Sequence, residues 1–339
     1  MKNETDVFVI GGGPAGLAAA IAARRRGLRV VVADGNRPPV DKACGEGLMP
    51  DTRIAAQHLG IHLPASIGYE FPGIRFHGAN RTVAAEFPGG SGLGVRRTAL
   101  HAAMIAAAEN AGVELRWETP ISGFDEIRAR WIVGADGSSS RVRAWAGLDT
   151  RLYNTRRFAT RRHYAVAPWT ASMEIYWGEG CQIYVTPVAS DEVCIALISR
   201  SPELRVESAL RRFFPVLRER LAGAPVSSRE RGAITATLRL ATVASGNIAL
   251  VGDASGSVDA ITGEGMCLSF KQAAVLGEAM DAGDLRKYAR VHPRLAFRPH
   301  AMARLMLLLD RGERVRRMGL GALAAMPSVF EKLLAVHVG

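Results

Sequence analysis

The pattern of apolar and polar positions changes along this chain, and each change predicts a different kind of element. Residues 7–10 form an apolar strand, followed by a glycine-rich turn, an alanine-rich helix and a second strand ending at Asp34. Two further strands are expected to end at Ala135 and at Val251. The second of these runs through GDASGSVDAITGEGM, residues 252–266, into an apolar helix. Between residues 151 and 242 the pattern shortens. RRHYAVAP, MEIYWG, QIYVTPV and EVCIALIS are aromatic and β-branched, with Gly, Pro and Asp between them, and read as strands of an antiparallel sheet. SALRRFFPVLRERL has helical spacing and predicts one amphipathic helix beside that sheet. Near the end, LMLLL and LGALAAM flank DRGERVRR, which predicts two apolar helices joined by a cationic segment.

The first glycine turn carries candidate chemistry. In Gly11-x-Gly13-Pro14-Ala15-Gly16, Gly11 permits the tight turn, and Gly13 lets the backbone approach a pyrophosphate. Gly16 lets helix and strand pack closely. The helix N-terminus offers free N–H groups and positive dipole to the phosphates. Asp34, roughly twenty residues on, can accept hydrogen bonds from both hydroxyls of a ribose. An acidic residue there favours an unphosphorylated ribose, so FAD or NAD fits better than NADP, and this motif leaves the two open.

Composition narrows the field. The chain has 339 residues, 48% of them hydrophobic, enough for two cores or one large one. Cys44, Cys181, Cys194 and Cys267 lie far apart without a C-x-x-C pair, so neither a disulfide framework nor a metal site is expected, and a reducing cytoplasm is the plain reading. The start, MKNETDVFVIGG, lacks the basic and apolar regions of a signal peptide. No apolar run is long enough to span a membrane. The net charge of +11 comes with no nucleic-acid recognition motif. Anionic cofactors, or contact with an anionic membrane face, explain it more economically than nucleic acid.

Two later stretches separate the cofactors. RWIVGADGSSSRVR places Asp136-Gly137 after a strand, and GNIALVGDASG places Gly252-Asp253 after another. With the first turn, in that order, they resemble the single-Rossmann flavoproteins that include p-hydroxybenzoate hydroxylase, geranylgeranyl reductases and flavin-dependent halogenases. The resemblance covers residues 5–285. It implies that Asp253 hydrogen-bonds the ribityl chain of FAD, and that Asp136-Gly137 supports the pyrophosphate region. It also implies that Gly263, Gly265 and Met266 bring a helix N-terminus to the flavin ring, where N–H groups would stabilise charge on the reduced form. DKACGEGLMP resembles the Cys-Gly segment of the geranylgeranyl reductase branch, which would put Cys44, Gly45 and Glu46 beside the ring. Arg97 matches a family arginine that reaches the cofactor, and Arg96 could take that role instead. No second fingerprint is present, so NADH or NADPH would dock transiently as electron donor.

The fold expected is α/β: a Rossmann-type FAD-binding domain (residues 1–66, 93–150 and 243–290), an inserted antiparallel β-sheet substrate domain (67–92 and 151–242) and a helical C-terminus (291–339). Within the sheet, His163, Tyr164, Trp177 and Tyr184 could face a substrate or simply pack. Glu46 and Glu264 are candidate proton-transfer groups, with a solvent-facing position or cap-like hydrogen bonding as the alternative. The tail helices could roof the cavity or lie on an anionic bilayer. The resemblance implies an FAD-dependent oxidoreductase acting on a hydrophobic or aromatic small molecule. The leading expectation is an NAD(P)H-driven monooxygenase that hydroxylates an aromatic or quinol-like substrate through a flavin C4a-hydroperoxide. The alternative is an ene-reductase acting on a prenyl chain. CGEG leans to the reductase branch, although the longer aromatic-proline motif of geranylgeranyl reductases is missing. The W-x-W-x-I-P motif of halogenases is missing as well.

Overall fold

The computed structural model describes residues 5–78 and 81–338, so the polar residues 1–4 of the unmatched signal-peptide region lie outside it. The chain opens with β1 (Thr5–Ile10), α1 (Pro14–Arg24) and β2 (Val30–Ala33). Short elements follow: β3 (Gly47–Leu48), α2 (Pro50–His58), β4 (Tyr69–Phe71), β5 (Gly73–His77), β6 (Thr82–Glu86) and β7 (Gly92–Gly94). Then come α3 (Arg97–Asn110), β8 (Glu114–Arg116), β9 (Ala129–Gly134) and α4 (Arg141–Trp145).

The first sheet has strand order β15-β16-β9-β1-β2-β8, where β15 is Ala244–Ser245 and β16 is Ile248–Leu250. All of its pairs are parallel except β15 with β16. In a parallel sheet the carboxyl ends share one edge. The neighbours β16, β9 and β1 therefore deliver the turns at Gly252, Asp136 and Gly11 side by side, although more than a hundred residues separate each from the next. Valines of β1 and β2 and the alanines of α1 fill the core with Leu100, Met104, Phe270 and Leu276. α7 (Gly265–Asp281) lies against α1, so close that a Cβ on Gly277 would stand 3.1 Å from Ala22.

The second sheet holds seven strands in the order β14-β10-β13-β12-β11-β5-β6. Its central members are β10 (Arg151–Tyr164), β11 (Met173–Trp177), β12 (Cys181–Ala189) and β13 (Glu192–Ser199), with β14 (Arg231–Leu240) at one edge. It is antiparallel except that β5 pairs with β11 in parallel. That exception has a topological cause. The chain leaves β6, traverses the first sheet and returns, and a long crossover permits parallel pairing where a hairpin does not. Residues of β11 to β13 are buried on both faces with a period of two. Ile175, Trp177, Tyr184 and Ile198 join one apolar cluster, while Tyr176, Ile183, Val185 and Ile195 join another.

The single helix expected from SALRRFFPVLRERL is two, α5 (Val206–Phe213) and α6 (Pro215–Arg220). Pro215 has no N–H to continue the ladder, and it pushes Phe214 out of helical conformation, to φ −132° and ψ 59°. The tail differs from expectation too. It forms α8 (Leu285–Leu309), α9 (Glu313–Ala325) and α10 (Pro327–Val338), and three of the arginines expected between two helices, Arg314, Arg316 and Arg317, sit inside α9. α8 runs through residue 290 without a break and carries Pro293 and Pro299 internally. Asp310, at the end of α8, ties the tail to the sheet. Its carboxylate takes hydrogen bonds from Arg200 at 2.6 Å and from Gln182, and lies 3.8 Å from Arg157. A third, three-stranded sheet (β3-β7-β4) packs against β12 of the second.

Candidate functional site

At the first turn, Gly11 adopts φ +110°, and a Cβ on Gly16 would stand 1.9 Å from the Gly11 carbonyl oxygen, so neither position admits a side chain. Pro14 opens α1 at its first turn, where the missing N–H costs nothing. Asp34 Oδ2 accepts the Gly12 N–H at 2.7 Å, and Oδ1 accepts both the backbone and side-chain N–H of Asn36 at 2.8 Å. The carboxylate thus fixes the turn as well as facing it. His101 is a member of this site that sequence reasoning missed. Its Nδ1 accepts the Val40 N–H at 2.9 Å, so Nε2 carries the hydrogen and donates to the Gly12 carbonyl at 2.7 Å. Burial lowers its pKa, which keeps the ring neutral. The available signal was its spacing, four residues after Arg97 and so on the same face of α3.

The second and third motifs meet here. Asp136 spends its carboxylate on its own loop, accepting from Ser140 Oγ at 2.5 Å, Arg141 N at 2.7 Å and Val142 N at 3.1 Å. That fixes the loop at the start of α4. Lys42 Nζ lies 3.7 Å from Asp253 Oδ2 and 3.7 Å from where a Gly137 Cβ would stand, so one cation joins both loops. Gly252, at φ +62°, brings this turn against α1, where a Cβ would stand 2.5 Å from that of Ala15. Its N–H donates to Gln272 Oε1 at 2.9 Å. The Gln272 amide in turn donates to His292 Nε2, also at 2.9 Å. Burial holds the His292 pKa down to about 4, as an acceptor nitrogen requires.

Glu46 sits at φ +59°, a left-handed conformation that non-glycine residues seldom adopt. Its Oε1 accepts the Arg97 N–H at 2.9 Å, capping α3, and its Oε2 lies 2.6 Å from His163 Nε2. Arg161, 1% exposed, closes the network against Asp41 and His163. Glu46 is therefore a cap and an anchor. Its carboxylate, His163 and Cys194 bring three ligating atoms within 4.8 Å, but the Arg161 guanidinium 3.7 Å away already supplies the positive charge. Arg96 is taken by Glu192 at 2.8 Å, which leaves Arg97, whose buried Nε has no partner.

Gly263, at φ +71°, starts the approach to α7, whose first residues are Gly265 and Met266. Glu264 is buried, and burial, reinforced by Asp51, raises its pKa to about 7. Next to this helix start lies a cavity of about 170 Å³ between the second sheet and α8 to α10. Met49, Phe76, Ile175, Met306 and Phe330 are among its walls, and only Tyr184, Thr262 and His337 interrupt the apolar lining. The Tyr184 hydroxyl is committed to the Ile261 carbonyl at 2.7 Å. Of the four sheet residues singled out, Tyr184 alone lines the cavity. Tyr164 packs on the opposite face, against α5 and α6, because strand neighbours point to opposite sides.

A dinucleotide with a flavin ring fits these residues. Gly13, Gly45 and Gly265 each face open space where a Cβ would stand, forming a cradle from the N-terminus of α1 to that of α7. The unpartnered Arg97 Nε lies buried near it. Comparisons agree. Two family models, each described as FAD binding domain, match residues 6–50 and 108–283. The chain is 28% identical to a menaquinone reductase of Mycolicibacterium smegmatis, over 91% of this chain and 85% of that protein. It is also 28% identical to a digeranylgeranylglycerophospholipid reductase of Methanosarcina acetivorans, over 82% and 75%. A triple mutant of a flavin-dependent brominase superposes with a TM-score of 0.86 at 17% identity, covering 99% of this chain and 95% of its own.

Proposed function

The chain belongs to the FAD-binding-domain family and is an FAD-dependent oxidoreductase; from that premise we propose that it reduces a carbon–carbon double bond in an isoprenoid chain. The observation that carries this reading is the lining of the cavity. Among its lining residues there is no arginine, lysine or carboxylate, and the one phenol is already bonded. A phenolate substrate would lose its hydration there without a cation to replace it. A prenyl chain asks only for apolar contact and the exclusion of water. Ile261 and Thr262 belong both to the wall and to the segment leading into α7, so a chain in the cavity lies beside the ring position. Names of the relatives, a menaquinone reductase and a digeranylgeranyl lipid reductase, support the same substrate class.

When bound, reduced FAD supplies a hydride. Residues of the chain do the rest. The N-terminus of α1 and Gly13 hold the diphosphate, and Asp34 accepts from the ribose hydroxyls. Lys42 orients Asp253 toward the ribityl chain. The N–H groups of Gly265 and Met266 would stabilise charge on the reduced ring, and Gly45 would leave room for it. In this reading NADH or NADPH docks transiently to provide electrons. An apolar substrate would come from a bilayer. Phe297 and Met318, each 75% exposed, the exposed Val315 and Met326, and the exposed Arg304, Arg311 and Arg317 in the same tail support a peripheral contact with an anionic surface. Among the described residues, no single helix is long and apolar enough to cross a membrane.

The test is a single turnover. FAD-loaded protein, reduced without oxygen, is mixed with a geranylgeranyl lipid or a menaquinone. A product whose isoprenoid chain is heavier by two hydrogens, with flavin reoxidised in step, is expected. Reoxidation only on adding oxygen, with an oxygen atom entering an aromatic substrate, would replace the reductase by the hydroxylase.

A further inference from the structure

Saturating a double bond needs a proton as well as a hydride, and an apolar cavity must obtain it from somewhere. Two buried atoms mark the place. Glu264 Oε2 and His337 Nδ1 lie 3.5 Å apart, with side chains 4% and 9% exposed, and neither atom has a hydrogen-bond partner. Glu264 precedes α7 without capping it, so its carboxyl is free of the usual local role. The two residues open onto different spaces. His337 lines the apolar cavity. Glu264 lines a second, polar pocket of about 260 Å³ with Asp51, Cys267, Lys271, Arg294 and Arg298. The pair thus stands between an apolar cavity and a pocket with charged walls.

We propose that Glu264 and His337 form the proton path into the cavity: His337 protonates the substrate carbon and Glu264 refills it from the polar pocket. This rests on the reductase reading. The balance is simple. The hydride from reduced FAD forms one C–H bond, and the π pair takes a proton from the His337 ring to form the other. The Glu264 carboxyl passes its proton to Nδ1 as the ring gives one up, so the ring stays neutral, and the resulting carboxylate takes a proton from water in the polar pocket. One hydride and one proton enter the substrate, and FAD is left oxidised. His337 is the catalytic residue, and Glu264 acts through it.

The surroundings suit a donor that is loaded before turnover. Burial, then Asp51 of α2, favour the protonated Glu264, against Arg298 of α8, Thr262 and Lys271 of α7. Burial keeps the His337 ring neutral, with Asp51 and the Thr262 backbone opposing and Arg298 assisting. The pair therefore shares one proton, held mainly by Glu264, near neutral pH. The cavity offers no other acid, since burial pushes the Tyr184 hydroxyl far above its ordinary range.

The first readout needs no turnover. Infrared difference spectra of full-length, FAD-loaded protein between pH 5 and 9, with glutamate carrying ¹³C at the side-chain carboxyl, should show a protonated carboxyl lost with a midpoint near neutrality and absent in Glu264→Gln. A Glu264 carboxylate ionised across the whole range overturns the proposal, and needs no variant to fold. The second readout is single-turnover reduction in D₂O. Wild type should place one deuterium in the product, and Glu264→Gln and His337→Gln should slow the step about a hundredfold while FAD affinity stays at the wild-type value. Wild-type rates in both variants would refute the path and leave the reductase reading standing. Failure of wild type to saturate any prenyl substrate would refute the reductase reading itself.

Discussion

The same substitution at two glycines of the cofactor cradle should have opposite consequences. Gly13 has φ −70° and ψ 177°, which alanine adopts freely, and its Cβ would meet nothing within 4 Å. Replacing it with alanine narrows the unfolded ensemble, a gain of about 0.4–1 kcal/mol. Alanine is a poorer N-cap than glycine, a loss of roughly the same size. Stability of the apoprotein should thus change by less than about 0.5 kcal/mol. The new methyl, however, fills the space through which a diphosphate approaches α1. Losing one N–H bond to a charged phosphate costs about 1.5–3 kcal/mol, which is roughly a ten- to hundredfold weaker FAD Kd. Gly252→Ala is the counterpart. A left-handed alanine costs about 1–2 kcal/mol. The methyl would stand 2.5 Å from that of Ala15, adding an overpacking cost of about 1–3 kcal/mol. Thermal unfolding of the apoproteins and titration with FAD, followed by quenching of its fluorescence, separate the two effects. A Gly13→Ala protein that folds normally and binds FAD as tightly as wild type would refute the cradle.

Other substitutions and conditions test the parts that hold the site. His292 holds its protons less tightly folded than unfolded, about 4 against 6.5. Its contribution is therefore complete above the unfolded value and is lost as pH falls from about 6.5 toward 4, by about 3 kcal/mol. His292→Gln should flatten that part of the stability curve measured by urea unfolding, and an unchanged slope would reject the acceptor role. Asp310→Ala leaves Arg157 and Gln182 buried without their shared partner, and should cost about 3 kcal/mol by the same measurement. Met318→Glu, at a fully outward position on α9, should reduce pelleting with vesicles containing anionic lipid while leaving the melting temperature unchanged. Equal pelleting of both proteins would remove the membrane face.

How much of this was legible in advance depends on the range of the interaction concerned. Gly11, Gly13, Gly16 and Asp34 announce themselves because a turn, a helix N-terminus and the next strand end are written within thirty residues, each part depending on its neighbours. Asp136-Gly137 and Gly252-Asp253 are equally local. Their convergence at one sheet edge followed from the parallel order of β16, β9 and β1, which no short pattern encodes. The strands from 173 to 199 were readable from composition, but not which face met the tail. A period of two fixes alternation and leaves the choice of side to packing. Pro215 should have split the amphipathic helix on its own, because its missing N–H acts within one turn.

Sequence alone thus determined the glycine turn, the family resemblance and the class of each sheet. Only the tertiary structure decided what the acidic candidates do. Glu46 and Glu264 lie in similarly glycine-rich segments. The first is drawn into a network with His163 and Arg161, and the second is left 3.5 Å from His337, between two cavities. It also decided the character of the apolar cavity, assembled from residues 49 to 337 that share no local pattern. The physical reason is the same in both cases. Hydrogen-bond and dipole requirements of a turn act over a few residues, whereas burial, and the charge state that burial imposes, depends on every element that closes over a group.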